Sequence, residues 1–460
     1  MKNSAADQRR LLEVREAMRE GATGRHPSAA GKRFSKAEAL RIWADLAEAR
    51  RAETLRRMVE ETPANYRLIT DKAGLKDFLS ILDGETEIVF DVETTGTDVW
   101  QDYIVGHVIS AIKADIHAYI PTKHRTDAPQ LDNEYVARML KPYYENPEIG
   151  KLAHNAKFDI HMLAREGVEL RGLTWDTQEA MRLLNENEPS FALKNLVTKY
   201  LRIPSQTYDE LFGKAGFDEV SDLRVALAYA AKDGDVTLKL RDFQRQHLAK
   251  MPEVLEYYES IEVPLISVVQ KMESTGFDID LDFAAEYGRE LKTEIDAIYA
   301  EIIRELGDIN INSPAQLKPA LERATGRKLE STDAKRALKP LAKDYEVIRN
   351  LLAYKEKFKL YSTYINALPE LIDNRTGKLY TNFNQNGAKT GRFSSGGGGV
   401  NLQNQPTEAR KLFVAPPGYV ILGGDWSQQE YRALAYFSQE PKDKKVVVKR
   451  KNIVVVGELQ

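Results

Sequence analysis

The chain has 460 residues, 42% hydrophobic and 29% charged, with a net charge of −3 and no cysteine. That composition suits soluble globular protein with material for about two or three domains, and it excludes disulfides, thiolate metal sites and a bulk polycation. The start, Met-Lys-Asn-Ser-Ala-Ala-Asp, lacks the apolar core of a signal peptide, and no apolar run is long enough to span a bilayer. Nucleic-acid binding would have to come from local basic surfaces.

Residues 1–65 read as a helical, charged extension. Leu11, Leu12, Val14, Arg15 and Met18 suggest a short amphipathic helix, and Gly21 to Gly31 a linker. Ser35-Lys-Ala-Glu38 is a capping box that opens a long Ala/Arg/Glu-rich helix before Pro63. A solvated helical hairpin packed on the next domain is favoured over an interaction arm.

Residues 66–250 change character. Ile88-Val-Phe-Asp-Val, Tyr103-Ile-Val-Gly-His-Val-Ile and Ile116-His-Ala-Tyr-Ile-Pro121 are short, β-branched, aromatic runs separated by turn residues, and they predict three successive strands. Helical stretches follow at Glu134 to Leu140, Phe158 to Glu166, Thr177 to Asn185 and Leu223 to His247. Strands first and helices after predict an α/β domain with a mixed sheet covered by helices. Residues 251–375 read as helical, with long segments at Tyr257 to Ser274, Phe283 to Leu306 and Val347 to Leu368. Residues 376–441 mix strands and turns, a partial α+β region. Residues 442–460 form an atypical lysine- then valine-rich tail, in which Val446-Val-Val and Ile453-Val-Val-Val suggest a β-hairpin or an unrelated reading frame; the tail is expected either to pack as an edge strand on the open sheet before it or to lie disordered.

Three separated acidic motifs carry chemistry. Asp91 and Glu93 stand two apart in Ile88-Val-Phe-Asp-Val-Glu-Thr-Thr-Gly96, so one strand end points both carboxylates to one face. Asp159 closes His154-Asn-Ala-Lys-Phe-Asp159 and falls near a helix start. Tyr229 and Asp233 are four apart on a helix and share a face. Hydrolysis by two metals needs carboxylates converging on hard cations roughly 3.5–4 Å apart. Each motif alone reads as surface charge or a cap; order and spacing together point to a nuclease centre. Asp235 faces elsewhere and takes no role.

These residues resemble the DEDD class of 3′–5′ exonucleases, in the subclass with tyrosine in the last motif. The resemblance implies an RNase H-like fold, Mg2+ or Mn2+ as a pair of ions, and ligation by Asp91, Glu93 and Asp233, with Asp159 supporting one ion. It implies that Tyr229 orients the attacking water, while Thr94 and Asn155 help place the terminal nucleotide.

Residues 255–441 resemble family A DNA polymerases. The segments are Glu262-Val-Pro-Leu265, Met272-Glu-Ser-Thr-Gly276, Asn312-Ser-Pro-Ala-Gln-Leu317, Ser331-Thr-Asp333, Lys359-Leu-Tyr-Ser-Thr-Tyr364, Thr390-Gly-Arg-Phe-Ser-Ser395, Asn401-Leu-Gln-Asn-Gln-Pro406 and Phe413-Val-Ala-Pro-Pro-Gly418. Asp425-Trp-Ser-Gln-Gln-Glu-Tyr-Arg432 looks like the first palm motif, and its Asp425 follows an apolar strand and two glycines. The resemblance implies a thumb over 251–375, part of a palm over 376–441, and metal binding by Asp425. It implies 2′-hydroxyl exclusion by Glu430 and template or primer contacts by Arg392, Asn401 and Gln403. The family's fingers and second palm aspartate are not met before residue 460, and residues 442–460 match nothing there. The expectation is therefore proofreading hydrolysis of single-stranded DNA ends and binding of primer-template DNA. Polymerisation is expected only with a second polypeptide carrying the remaining elements. The implied location is the cytoplasm of a bacterial or phage-infected cell. A stand-alone exonuclease and a non-catalytic DNA-binding fragment are the rivals.

Overall fold

The computed structural model describes residues 36–396, 400–426, 428–438 and 452–456. The short helix at Leu11–Met18, the Gly21–Gly31 linker, Ser35 of the capping box and Val446-Val-Val lie outside the described residues. The chain divides into two units, Met1–Ser267 and Val268–Gln460.

The first unit is built on a six-stranded mixed sheet. Its strands are β1 (Tyr66–Leu68), β2 (Glu87–Thr94), β3 (Ile104–Ala111), β4 (Ile116–Pro121), β5 (Gly150–Ala153) and β6 (Leu173–Asp176), in the order β1-β4-β3-β2-β5-β6. The β2, β3 and β4 strands form an antiparallel meander, whereas β2–β5, β5–β6 and β1–β4 pair in parallel. Three predicted strands are therefore the central ones, and their boundaries match within a few residues.

The helices are α1 (Lys36–Glu60), α2 (Lys72–Leu82), α3 (Asn133–Glu145), α4 (Ala156–Arg165), α5 (Thr177–Leu184), α6 (Leu193–Leu196), α7 (Tyr208–Phe212), α8 (Leu223–Leu248) and α9 (Pro252–Tyr257). They cover both faces of the sheet, which is why Ile88, Val89 and Phe90 are all fully buried rather than alternating. The period of two sorts these side chains by face. Ile88, Phe90 and Val92 join a core with Leu75, Phe78 and Leu82 of α2, Val136 and Leu140 of α3, and Ile160 and Leu163 of α4. Val89 packs the other way, with Leu152, Trp175, Leu248 and Tyr258. Residues 91 and 93 share the parity of Val89, so the strand turns both acids toward the face that α8 covers.

Where a long helix is predicted over Tyr257 to Ser274, α9 gives way to a wide π turn at Tyr258–Glu262 and then to α10 (Val263–Thr275), within which the unit boundary falls. The wide turn carries Tyr258, fully buried, whose hydroxyl accepts from the Asp176 N–H at 2.7 Å and meets the Asp176 carbonyl at 2.9 Å. The helix predicted over Val347 to Leu368 is likewise split into α13 (Glu346–Leu360), a π turn at Tyr361–Ile365 and α14 (Ala367–Glu370). Periodicity alone does not reveal such a turn, because the apolar spacing on either side of it survives.

The second unit packs α11 (Leu281–Leu306) and α12 (Pro314–Thr325) with α13. Leu291, Ile295 and Ile302 from α11, Leu317 and Leu321 from α12, and Val347, Ile348 and Leu351 from α13 fill one core. Short antiparallel pairs follow: β7 (Asp278–Ile279) with β10 (Phe413–Val414), and β8 (Phe383–Asn384) with β9 (Ser394–Ser395). In the last pair, β11 (Ile421–Asp425) takes β12 (Asn452–Val456) as its antiparallel partner, from Ile421 opposite Val456 to Asp425 opposite Asn452, so the tail adds an edge strand. The valine run therefore satisfies the edge of the strand that bears Asp425. Helix α15 (Gln429–Ser438) follows β11 in the chain.

Candidate active site

Asp91 and Glu93 lie near the carboxyl end of β2. The β2–β5 ladder stops at Val89 opposite Leu152, so the Val92 N–H has no β5 carbonyl to meet. The chain leaves β5, passes through Asn155 in the left-handed conformation (φ 63°) and enters α4. That turn brings Asp159, in the first turn of α4, back onto β2: its Oδ1 accepts from the Val92 N–H at 3.2 Å, which Asp91 Oδ1 also meets at 3.0 Å. One backbone donor thus ties the first two motifs together.

The α4 start is held by Asp176. Its carboxylate accepts from Ala156 N at 2.7 Å and Asn155 N at 3.3 Å, and from Gln178 N and Glu179 N at the start of α5. Asp176 was not singled out in the sequence, although Asp176-Thr-Gln-Glu179 has the form of a helix start.

Helix α8 brings the third motif. Tyr229 and Asp233 sit on its buried face, 8% exposed each. Gly234 permits the close approach: a Cβ there would lie 2.6 Å from Ser110 Oγ on β3. The result is a cluster of Asp91, Glu93 and Asp233 in which one carboxylate oxygen from each lies within 4.8 Å of the other two. Asp159, 2% exposed, joins it through the Asp91 contact. Asp235 points away, accepting from the Tyr66 hydroxyl at 2.9 Å and from Lys239 at 2.7 Å.

Burial and mutual repulsion set the electrostatics of this cluster. Burial raises the Asp91 carboxyl to about 6, against the opposing hydrogen bonds from Asp159 and the Val92 N–H. Burial, with the Asp91 charge adding to it, raises Glu93 to about 8. Asp159 is raised by burial and by Asp91. Glu93 Oε1 is buried and has no hydrogen-bond partner. Buried carboxylates crowded together with an unpartnered oxygen suit a divalent cation with oxygen ligands, which removes both the repulsion and the unsatisfied acceptor.

One residue that sequence reading missed belongs here. Lys194, on α6, makes an ion pair with Asp233 Oδ1, and its ammonium sits 4.3 Å from the centroid of the Tyr229 ring. Burial lowers its pKa, while the Glu93 and Asp91 charges oppose the shift. In the sequence it is one lysine in Phe191-Ala-Leu-Lys-Asn-Leu196, with nothing to separate it from a surface lysine.

Around the centre, Thr94 Oγ1 donates to the Gly96 carbonyl at 2.6 Å, and Asn155 makes no cap hydrogen bond with its side chain.

The residues singled out in the second unit are placed differently. Asp425 ends β11 and is exposed. Arg392 pairs with Glu430, and both side chains are exposed, at 71% and 76%. Asn401 caps a short turn, its Oδ1 accepting from Gln403 N at 3.1 Å. The structure joins Arg392 to Glu430 and Asn401 to Gln403, and among the described residues Asp425 belongs to no group of three or more metal-ligating side chains.

Comparison with known proteins finds two families along the chain. The 3′–5′ exonuclease family matches residues 66–249, and DNA polymerase family A matches residues 281–453. This chain carries a 3′–5′ exonuclease domain followed by a segment of DNA polymerase family A. The polymerase match runs to residue 453, beyond residue 441, where the sequence reading ended the likeness. DNA polymerase I of Chloroflexus aurantiacus is 36% identical over 400 residues, covering 82% of this chain and 42% of that protein. DNA polymerase I of Pseudomonas aeruginosa is 34% identical over 410 residues, covering 83% and 44%. The chain thus spans less than half the length of these curated relatives. Among solved structures, the polymerase domain of Pol1 from M. smegmatis, in complex with DNA primer-template and dNTP, matches with a TM-score of 0.70 and 25% identity. That match covers 83% of this chain and 64% of the other. An exonuclease domain of this family implies dependence on divalent metal, and the acidic cluster on β2, α4 and α8 is the candidate place for it. No described helix is long and apolar enough to cross a membrane.

Proposed function

We propose that the first unit hydrolyses DNA from the 3′ end as a proofreading exonuclease, using two Mg2+ or Mn2+ ions. The observation that carries this is the cluster of Asp91, Glu93 and Asp233 oxygens within 4.8 Å, with Glu93 Oε1 buried and unpartnered. Asp91, Glu93 and Asp233 would hold the ions directly, and Asp159 would support one of them from behind Asp91. Bound there, the ions would lower the pKa of an attacking water and stabilise the leaving 3′ oxygen. Tyr229 orients that water from the buried face of α8. Thr94 and Asn155, at the mouth of the motifs, position the terminal nucleotide. The wall of buried side chains excludes bulk water and strengthens each of these interactions.

We further propose that the second unit grips primer-template DNA through Arg392, Asn401 and Gln403, with Glu430 excluding the ribose 2′ hydroxyl and Asp425 holding metal. Nucleotide transfer would then draw on a second polypeptide bearing fingers and further palm elements. Support comes from the apolar side chains of the β11–α15 region: Tyr419, Leu422, Trp426, Tyr431, Tyr436 and Phe437 are each 62–81% exposed, more than scattered surface residues account for. Adding a separately expressed fragment with those elements should restore nucleotide incorporation on a primed template. The proposed setting is the cytoplasm.

The test of the main reading is digestion of a 5′-labelled single strand. A descending ladder in Mg2+, absent with chelator and with Asp91→Ala, supports it. Intact strand under all conditions, or an undiminished ladder from Asp91→Ala, refutes it.

A further inference from the structure

Lys194 is the one cation of the exonuclease unit whose ammonium reaches into the acidic cluster among the contacts described. Its helix, α6, is only four residues long and runs directly into a π turn at Val197–Leu201. Leu196 and Val197 are fully buried and anchor this segment against Met181, Val236 and Leu240. The anchoring fixes where the lysine stem starts. The side chain is 13% exposed, lies over the Tyr229 ring and ends on Asp233 Oδ1. A buried ammonium must be paired, because its desolvation is otherwise uncompensated. Asp233 is also one of the three residues whose oxygens converge within 4.8 Å.

We propose that Lys194 is a resident counter-ion of the nuclease centre, which competes with the divalent ion for Asp233 and so sets the ion affinity of the site. The inference rests on the exonuclease reading given above. An oxygen that accepts from an ammonium cannot give the same lone pair to an ion, and a monovalent and a divalent cation repel at this range. The Lys194–Asp233 pair therefore opposes ion binding at Asp233, by charge and by occupying part of its acceptor capacity. In return, the pair offsets the repulsion among three buried carboxylates and holds Tyr229 and Asp233 in register. A lysine with a merely structural role would support the site, and its removal would weaken ion binding. A competing lysine does the opposite.

The experiment measures Mn2+ binding to the full chain without DNA, by the loss of the free-ion electron paramagnetic resonance signal, for wild type, Lys194→Met, Lys194→Arg and Asp233→Asn. Lys194→Met should bind Mn2+ at least ~10-fold more tightly, the equivalent of about one pKa unit of charge interaction. Its melting temperature in chelator should fall, and the gain in melting temperature on adding Mn2+ should exceed that of wild type. Lys194→Arg, which keeps the charge, should stay within about threefold of wild type by the same scale. Lys194→Gln serves if the methionine variant does not fold. Wild-type or weaker Mn2+ affinity in a folded, charge-removed variant overturns the proposal while leaving the exonuclease reading intact. Equal Mn2+ binding by wild type and Asp233→Asn overturns both, because the ion is then not at this centre.

Discussion

The two units carry carboxylates of the same chemical type in opposite settings. In the exonuclease unit, Glu93, Asp159 and Asp233 are 9% exposed or less, and their positions follow from β2, α4 and α8 packing on one another. In the polymerase unit, Asp425 and Glu430 stand exposed at the end of β11 and the start of α15, and Arg392 reaches Glu430 across open surface. Burial explains the contrast. A carboxylate inside a covered sheet is fixed by its neighbours and held near its protonated form until a cation arrives. An exposed one is stabilised by water and exerts little on its surroundings. The first setting is the candidate place for a divalent ion, and the second leaves its carboxylates to solvent.

The largest effect that would sharpen this contrast is loss of a buried ligand. Asp91→Ala or Asp233→Ala should lower exonuclease turnover by ~100-fold or more, because a metal that supplies several kcal/mol loses its hold. Asp425→Ala should leave the same assay at the wild-type rate. An equal loss from Asp425→Ala would break the division between the units.

Next comes the backbone approach that aims Asp233. Gly234→Ala places a Cβ 2.6 Å from Ser110 Oγ, so either that hydroxyl turns off His117 Nδ1 or α8 shifts on β3, and the helix shift is what lowers turnover. Turnover should fall by roughly 10–100-fold, as expected for misplacement by a fraction of an ångström to one ångström. Overpacking should cost about 1–3 kcal/mol of stability, read from chemical denaturation. Unchanged turnover would show that the hydroxyl gives way or that the centre tolerates movement of α8.

A smaller effect is expected on the open side. Arg392→Ala should weaken binding of primer-template duplex a few-fold and reduce the slope of log affinity against log salt by about one, as for one lost phosphate contact. Its pair with Glu430 is solvent-exposed and worth only ~0–1 kcal/mol, so thermal stability should hardly move. Sequence-dependent binding, or an unchanged salt slope, would count against the assigned contact.

A last effect, on stability alone, concerns acid. Burial holds fully buried His107 down to about 4, against an ordinary 6.5. The unfolded chain therefore takes up that proton at a higher pH than the folded one. The contribution is fully present above 6.5 and declines as pH falls toward 4, by up to about 3 kcal/mol at the lower end. Glu166, with Oε2 3.9 Å from His107 Nε2, is raised by burial and titrates with the opposite sign. His107→Gln isolates the histidine and should flatten the fall in stability between these pH values, measured by urea unfolding.

Much of the exonuclease unit is legible in the sequence because its signals are local. The β-branched runs of β2, β3 and β4 set the sheet, and the spacings Asp91–Glu93 and Tyr229–Asp233 put side chains on common faces. What escapes is what depends on distant packing. Lys194 acquires its partner only because Leu196 and Val197 are buried against α5 and α8. Asp176 has the capping pattern of the α5 start, but its hold on the Asn155 and Ala156 N–H groups at the α4 start depends on distant packing that this pattern does not encode. The π turns at Tyr258–Glu262 and Tyr361–Ile365 interrupt helices whose apolar spacing continues through them. An edge strand from the valine-rich tail is legible in the sequence, but that Ile453–Val456 lies along the strand bearing Asp425, with Asp425 opposite Asn452, depends on the edge that β11 leaves open.

The most direct measurement of the central claim, that β2, α4 and α8 build an ion-binding hydrolytic centre, is anomalous scattering from crystals of the full chain soaked in Mn2+. A peak should lie about 2.1 Å from carboxylate oxygens of Asp91, Glu93 and Asp233, the distance expected for a small hard divalent ion. Peaks confined to the protein surface, with those three carboxylates bound to water or to one another, would contradict it.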